Sequence, residues 1–212
     1  MLTAIIDYES GNLHSADKAF QKMAREGAGG EVVVTDKAEV VAKADRIVLP
    51  GDGAFPACAA ALRGKDGVYE ALIDAVENRG VPFMGICVGM QLMARKGHEY
   101  EEADGLGWVD GEVLKIVPTD PTLKVPHMGW NDLVIEQAHP VLEGVQTGDH
   151  AYFVHSYQIR MADPSQRIAY CDYGEEVTAI VGSENRIGLQ FHPEKSAETG
   201  LRMISNFLRW TP

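Results

Sequence analysis

Four short apolar runs, each followed by a stretch of helical periodicity, organise the first 95 residues. The runs are Leu2–Ile6, Val32–Thr35, Arg46–Leu49 and Val81–Ile86. Asn12 to Arg25 follows the first of them. Within it Leu13, Ala16, Phe20 and Met23 recur at steps of three and four, one face of a helix lying on a sheet. Glu26-Gly27 to Gly30 breaks that pattern. Asp36 is placed to cap a short helix through Ala44. Pro56–Leu62 and Val68–Asn78 are helical patterns, and a further helix is expected from Gly89 to Arg95. Apolar strands that alternate with helices form a parallel sheet covered on both faces.

The second half has a different rhythm. Val113–Val117, Asp132–Ile135, Ala151–Gln158, Ile168–Cys171, Val177–Val181 and Ile187–Gln190 read as strands separated by Gly, Pro, Asp or Asn turns. They are expected to extend the same sheet in antiparallel fashion. Leu201, Ile204, Phe207 and Leu208 then mark a closing amphipathic helix. No linker, repeat or low-complexity segment interrupts the chain. The expected fold is therefore α/β: a mostly parallel open sheet flanked by helices, with an antiparallel extension, in one domain over residues 1–212. A chain of this length buries roughly 70% of its unfolded surface and needs no staples.

Charge and cysteine use narrow the function classes. Thirty-one acidic against 19 basic side chains leave a net charge of −12, which argues against a nucleic-acid partner because phosphate contact needs a basic face. Cys58, Cys87 and Cys171 form neither a disulfide framework nor a CxxC metal clip. A reducing, cytoplasmic setting is expected. Leu2–Ile6 is too short for a signal peptide, and no run approaches the ~18 apolar residues of a membrane span.

The sharpest chemical feature is Gly85-Ile86-Cys87-Val88-Gly89, where an apolar strand meets a helix. Small residues two before and two after the cysteine permit a tight, strained turn, as in the G-x-S-x-G elbow. N–H groups at the helix start would stabilise negative charge on the sulfur and on an attacked carbonyl oxygen. Taken alone, the pentapeptide also fits a buried core cysteine between packing glycines. Cys58, in an alanine-rich helix, and Cys171, in a strand, are expected to be structural. Among seven histidines, His192 stands out within Gln190-Phe191-His192-Pro193-Glu194. It lies at a strand end, and Glu194 is placed to orient its imidazole. His150 and His155 are five apart with no third ligand, so no metal site is expected. Leu49-Pro50-Gly51-Asp52-Gly53 ends a parallel strand in a glycine-rich loop that matches no nucleotide-binding pattern. Its N–H groups are expected beside Cys87 at the carboxyl edge of the sheet.

Cys87, His192, Glu194 and the Gly51–Gly53 loop together resemble the catalytic set of class I, triad-type glutamine amidotransferases. Gly85–Leu92 and Phe191–Ser196 carry the match. Asp7–Leu13, Pro126–Asn131 and Tyr152–Tyr157 resemble the glutaminase subunits that serve histidine biosynthesis, and the likeness spans nearly the whole chain. It implies hydrolysis of L-glutamine to glutamate and ammonia, without cofactor or metal. The ammonia would pass to a separate (β/α)8-barrel cyclase subunit that makes imidazole glycerol phosphate and an aminoimidazole carboxamide ribotide.

By the same resemblance, Cys87 attacks the amide carbon, His192 moves the proton and Glu194 orients His192. Val88 and Asp52 supply oxyanion-hole N–H groups. Gly53, Gln91, Glu99, Ser156 and Tyr157 hold glutamine, Glu99 facing its ammonium. Trp130, Tyr152 and Lys195 face the barrel, although a core position for Trp130 is an alternative. Two positions depart from the family pattern: Val88 replaces the usual Leu, and Asp52 stands where Val is common. The Asp52 carboxylate is expected to point away from the oxyanion. The rival readings are another class I glutaminase, such as the pyridoxal phosphate synthase subunit, a docking protein without activity, and a cysteine peptidase, for which no peptide-subsite signal is present. Pro126–Asn131 and Tyr152–Tyr157 count against the first. The intact Cys87, His192 and Glu194 count against the second.

Overall fold

The computed structural model describes residues 1–212. In chain order the first half runs β1 (Leu2–Ile6), α1 (Leu13–Met23), β2 (Glu31–Thr35), α2 (Ala38–Val41), β3 (Arg46–Gly51), α3 (Phe55–Gly64), α4 (Val68–Ile73), β4 (Phe83–Cys87) and α5 (Val88–Gln91). The remainder runs β5 (Ala94–Gly97), β6 (Ala103–Asp104), β7 (Val109–Lys115), β8 (His127–Asp132), β9 (Val134–Ile135), β10 (His150–His155), β11 (Tyr157–Met161), β12 (Arg167–Asp172), β13 (Glu176–Ser183), β14 (Arg186–Leu189) and α6 (Ala197–Arg209).

Eight strands form the central sheet in the order β2-β1-β3-β4-β14-β13-β12-β9. From β2 to β14 neighbouring strands are parallel; β13, β12 and β9 continue it antiparallel. The expected α/β sheet with an antiparallel extension is thus present. All residues of β4 are buried, as are all of β3, which is why these segments read as continuous apolar runs rather than alternating ones. Helix α1 buries Ala16, Ala19, Phe20 and Met23, close to the face that periodicity marks. Helix α6 buries Met203, Ile204, Phe207 and Leu208.

Five local expectations fail. Asp36 caps nothing: Lys37 is the residue before α2, and its N–H is taken by the Thr35 hydroxyl at 3.1 Å. The helix after Cys87 ends at Gln91 rather than Arg95. The Leu92 and Met93 carbonyls accept N–H groups from Leu106, Trp108 and Val109, so these carbonyls are taken by a returning loop, and Ala94–Gly97 leaves as a strand alongside β7. Ala151–Gln158 is two strands broken at Ser156, and Asp132–Ile135 is split at Leu133. Finally, two sets of strands leave the central sheet. β7 and β11 belong to a four-stranded sheet with β5 and β6, and β8 pairs only with β10.

The parallel strands all point their carboxyl ends to one edge. There Gly51 pairs with Cys87 and Leu189 with Ile86. Adjacent strands therefore deliver the chain after β1, the loop after β3, Cys87 and the His192 segment side by side. Open α/β sheets bind ligands along this edge.

Candidate active site

Cys87 closes β4 with φ 55° and ψ −113°. Such a backbone costs on the order of 1–3 kcal/mol for a residue other than glycine. Three glycines hold it there by close approach. A Cβ on Gly85 would lie 2.5 Å from the Gly89 carbonyl oxygen, and one on Gly51 would lie 2.7 Å from the Gly89 nitrogen. A Cβ on Gly89 would run into the Leu49 carbonyl oxygen. The end of β3 therefore rests directly on the turn, and the glycines are there for space as much as for torsion. Cys87 is only 5% exposed. Because α5 is a single turn of four residues, negative charge beside it would meet local N–H groups such as that of Val88, not a long helix dipole.

His192 follows β14 and enters a single helical turn, Pro193–Lys195. Its Nδ1 lies 2.8 Å from Glu194 Oε1, and both side chains are almost fully buried. Burial by itself would lower the imidazole value. The proximity of the Cys87 sulfur and the Glu194 carboxylate overcomes burial and raises it to about 10. The turn is stitched to β10. His192 N–H donates to the Tyr152 carbonyl at 3.0 Å, Tyr152 N–H to Ser196 Oγ at 2.9 Å, and Ser196 Oγ–H to the His192 carbonyl at 2.7 Å. A Cβ at Gly200 would collide with the Pro193 carbonyl, so α6 approaches this turn only because it carries glycine there.

A cavity of about 200 Å³ opens beside the sulfur. Gly53, Gln91, Glu99, Ser156 and Tyr157 line it together with Asp52, Cys87, Val88, Val154 and His155. All five residues that the resemblance assigns to glutamine binding thus meet at one place. Larger hollows exist, including one of about 690 Å³ between Lys22, Glu26, Glu198 and Arg202, but none of its lining residues is a cysteine or histidine. Gln91 is 2% exposed. Its two amide protons go to the Tyr157 carbonyl and to Gln190 Oε1, both at 3.0 Å. Only its Oε1 is therefore left for a ligand. Glu99 Oε2 accepts the Phe55 N–H at 2.8 Å, which ties this carboxylate to the end of the Gly51–Gly53 loop.

That loop holds a residue the sequence alone left without a role. Asp52 N–H donates to Ser10 Oγ at 3.3 Å, while Ser10 Oγ–H donates back to the Asp52 carbonyl at 2.8 Å. Ser10 also lies 3.0 Å from Cys58 Sγ. An oxyanion role for Asp52 N–H requires the bond to Ser10 to be exchanged. Gln190 is a second such residue: it is fully buried, and its Nε2 points to Cys87 Sγ at 3.9 Å. For both, the only sequence signal is position: each follows a strand that ends at the same sheet edge. Trp130 is 53% exposed, so the core alternative for it fails. Its ring meets Tyr152 edge-on at 5.9 Å, and Lys195 is exposed on the turn stitched to Tyr152.

Comparison with known proteins finds relatives over the whole chain. The family model described as glutamine amidotransferase class-I matches residues 4–210. The imidazole glycerol phosphate synthase subunit HisH of Ruegeria pomeroyi is 68% identical, with the whole of both chains covered. Those of Cereibacter sphaeroides and Agrobacterium fabrum are 61% and 54% identical, again over both full chains. Among solved structures, one described as a glutamine amidotransferase superposes with a TM-score of 0.72 at 18% identity, covering 97% of this chain and 98% of that one. Another, from Thermotoga maritima, gives 0.62 at 16%, covering 94% and 78%. These two support the fold. The chain belongs to the class I glutamine amidotransferases and, within them, to the family of imidazole glycerol phosphate synthase HisH subunits.

Proposed function

We propose that residues 1–212 act as one glutaminase domain that hydrolyses L-glutamine through Cys87, His192 and Glu194 and hands the ammonia to a (β/α)8-barrel cyclase. The observation that carries this reading is the convergence of a strained, glycine-packed Cys87 and the buried His192–Glu194 pair at one sheet edge. Beside them lies a cavity whose walls include the five expected glutamine contacts.

In the first half-reaction His192 takes the Cys87 thiol proton as the sulfur bonds to the side-chain amide carbon. The C–N bond breaks, and the leaving nitrogen takes a proton from His192 and departs as ammonia. In the second half-reaction His192 takes a proton from a water molecule. That water's oxygen bonds to the thioester carbon, the C–S bond breaks, the sulfur takes the proton from His192, and glutamate leaves with the thiol restored. Glu194 holds the imidazole through Nδ1 and stabilises its charged form. Glu99 meets the substrate ammonium. Asp52 is exposed, which suits a carboxylate turned away from the oxyanion.

Met128 and Trp130, 62% and 53% exposed, together with Tyr152 and Lys195, form the face on which the cyclase docks. We place the enzyme in the cytoplasm, where a nucleophilic thiol stays reduced. With Asp52 N–H held by Ser10, the isolated chain has one rigid oxyanion donor from Val88 and one turned elsewhere. One such donor is worth ~10²–10³ in turnover.

The test is glutamate release from L-glutamine by the chain alone, with the cyclase, and with the cyclase and its nucleotide substrate. Slow release alone and a rise of about 10²–10³ in the complete complex are expected. No glutamate release in any arm sinks the glutaminase reading, and equal turnover in all three sinks the gated oxyanion hole.

A further inference from the structure

Two buried histidines take no part in the chemistry above. His127 and His155 are 2% and 6% exposed and face each other across the β8–β10 pair. The His127 ring is stacked between Phe153 at 4.8 Å and Tyr173 at 4.0 Å. His127 Nδ1 lies 3.1 Å from His155 Nε2, and His155 Nδ1 lies 2.8 Å from the Tyr157 carbonyl oxygen. At the far end Asn131 Nδ2 lies 3.3 Å from His127 Nε2 and 2.9 Å from the Asp172 carbonyl.

The end groups fix every proton in this chain. A carbonyl only accepts, so His155 carries its hydrogen on Nδ1 and leaves Nε2 bare. His127 must then donate from Nδ1, which leaves its Nε2 to accept from the Asn131 amide. Burial pushes His127 down to about 4. Burial also pushes His155 down to about 3; the Tyr157 carbonyl works against this, and His127 and His192 add to it. Both rings are therefore neutral at physiological pH, as the proton order requires. The acceptor at the end of the chain is shared: the Tyr157 carbonyl also takes a Gln91 proton at 3.0 Å. Gln91 in turn bonds to Gln190, which points to Cys87.

We propose that Asn131, His127 and His155 form a one-way hydrogen-bond relay that fixes the Tyr157 carbonyl and, through it, the orientation of Gln91 in the cavity. With both Gln91 protons committed to protein groups, the cavity presents an acceptor, Gln91 Oε1, which selects a ligand that donates there. His127 and His155 are positioning residues, and neither exchanges a proton with substrate. This inference rests on the reading of the cavity as the glutamine site.

The experiment compares wild type with His155→Leu, His155→Asn and His127→Phe in the full chain bound to the cyclase, scoring KM for glutamine separately from kcat. His155→Leu leaves the Tyr157 carbonyl short of one donor and is expected to raise KM roughly tenfold, with a smaller change in kcat. His155→Asn places an amide nitrogen near the Nδ1 position and is expected to recover most of that loss. His127→Phe keeps the stacking but not the donor, and its rise in KM is expected to be smaller than that of His155→Leu. Unchanged KM in all three variants, or equal loss in the Leu and Asn variants, overturns the relay. If the variants do not fold, imidazole nitrogen NMR of the wild-type chain decides. Neutral rings protonated on Nδ1 at pH 7 support the relay, and a proton on Nε2 of either ring overturns it. That spectrum is independent of activity, so a wild-type complex that releases no glutamate would count against the glutamine site and not against the proton order.

Discussion

The turn after β4 is held by backbone on several sides, whereas the loop after β3 is held across its middle by one serine side chain. At Cys87 the Gly85, Gly89 and Gly51 positions leave no room even for a methyl group. At Asp52 both backbone polar groups meet Ser10 Oγ, and the N–H contact is long at 3.3 Å. Gly53 has φ 130° and only Cys58 Sγ near the place of a Cβ, at 3.8 Å. The two loops would supply the two oxyanion donors, so one donor is built in and the other is exchangeable. A close-packed backbone has a single arrangement, while a side-chain hydrogen bond worth ~1 kcal/mol can be traded for another. The proposed brake on glutamine hydrolysis would therefore lie in the second loop.

The largest effect that bears on this contrast is loss of the nucleophile. Cys87→Ala is expected to lower glutamate release at least about 10⁴-fold while leaving ammonium-supported turnover of the complex intact. Near-normal glutamate release by that variant would remove the β4 turn from the chemistry altogether. Next comes the acid–base pair. His192→Ala should cost ~10²–10⁴-fold in kcat, and Glu194→Gln should cost less because the carboxylate orients the ring rather than moving the proton. Equal, small losses in both would contradict the assignment.

A smaller effect tests the movable loop directly. Ser10→Ala removes both hydrogen bonds to the Asp52 backbone and is expected to raise glutaminase turnover of the isolated chain about fivefold. Turnover that stays flat or falls would mean that Ser10 does not hold the loop back.

The last effect is on stability. The His192 value is raised from its ordinary 6.5 to about 10. Its pairing therefore stabilises the fold fully below pH 6.5 and ceases to do so as pH climbs through about 10. The Tm difference between wild type and Glu194→Gln should shrink steadily between these two values. A pH-independent difference would show that the imidazole is not held charged.

The contrast between the loops also marks what was legible in the sequence. Cys87, with glycines two residues to either side, and Glu194, two residues from His192, are short-range patterns, and close approach within a few residues constrains residue type. Helix α1 and strands β1 to β4 were legible for the same reason, since buried faces impose a period on their own residues. The broken helix after Gln91 was not legible, because the Leu92 and Met93 carbonyls find partners at Leu106, Trp108 and Val109. The break at Ser156 was hidden in a similar way: β10 and β11 pair with β8 and β7, which lie in different sheets.

Neighbouring residues are enough to specify the α/β sheet, the strained turn at Cys87 and the His-Glu pair, because torsion, burial period and steric room act over a few residues. Tertiary structure alone decided that Ser10 grips Asp52 across 42 residues. It alone joined His127 to His155 across 28 residues and carried the parallel strands over to β14 before the sheet turned antiparallel. Those choices depend on which buried donor finds which acceptor, and a buried polar group takes its partner from whatever the fold brings within about 3 Å.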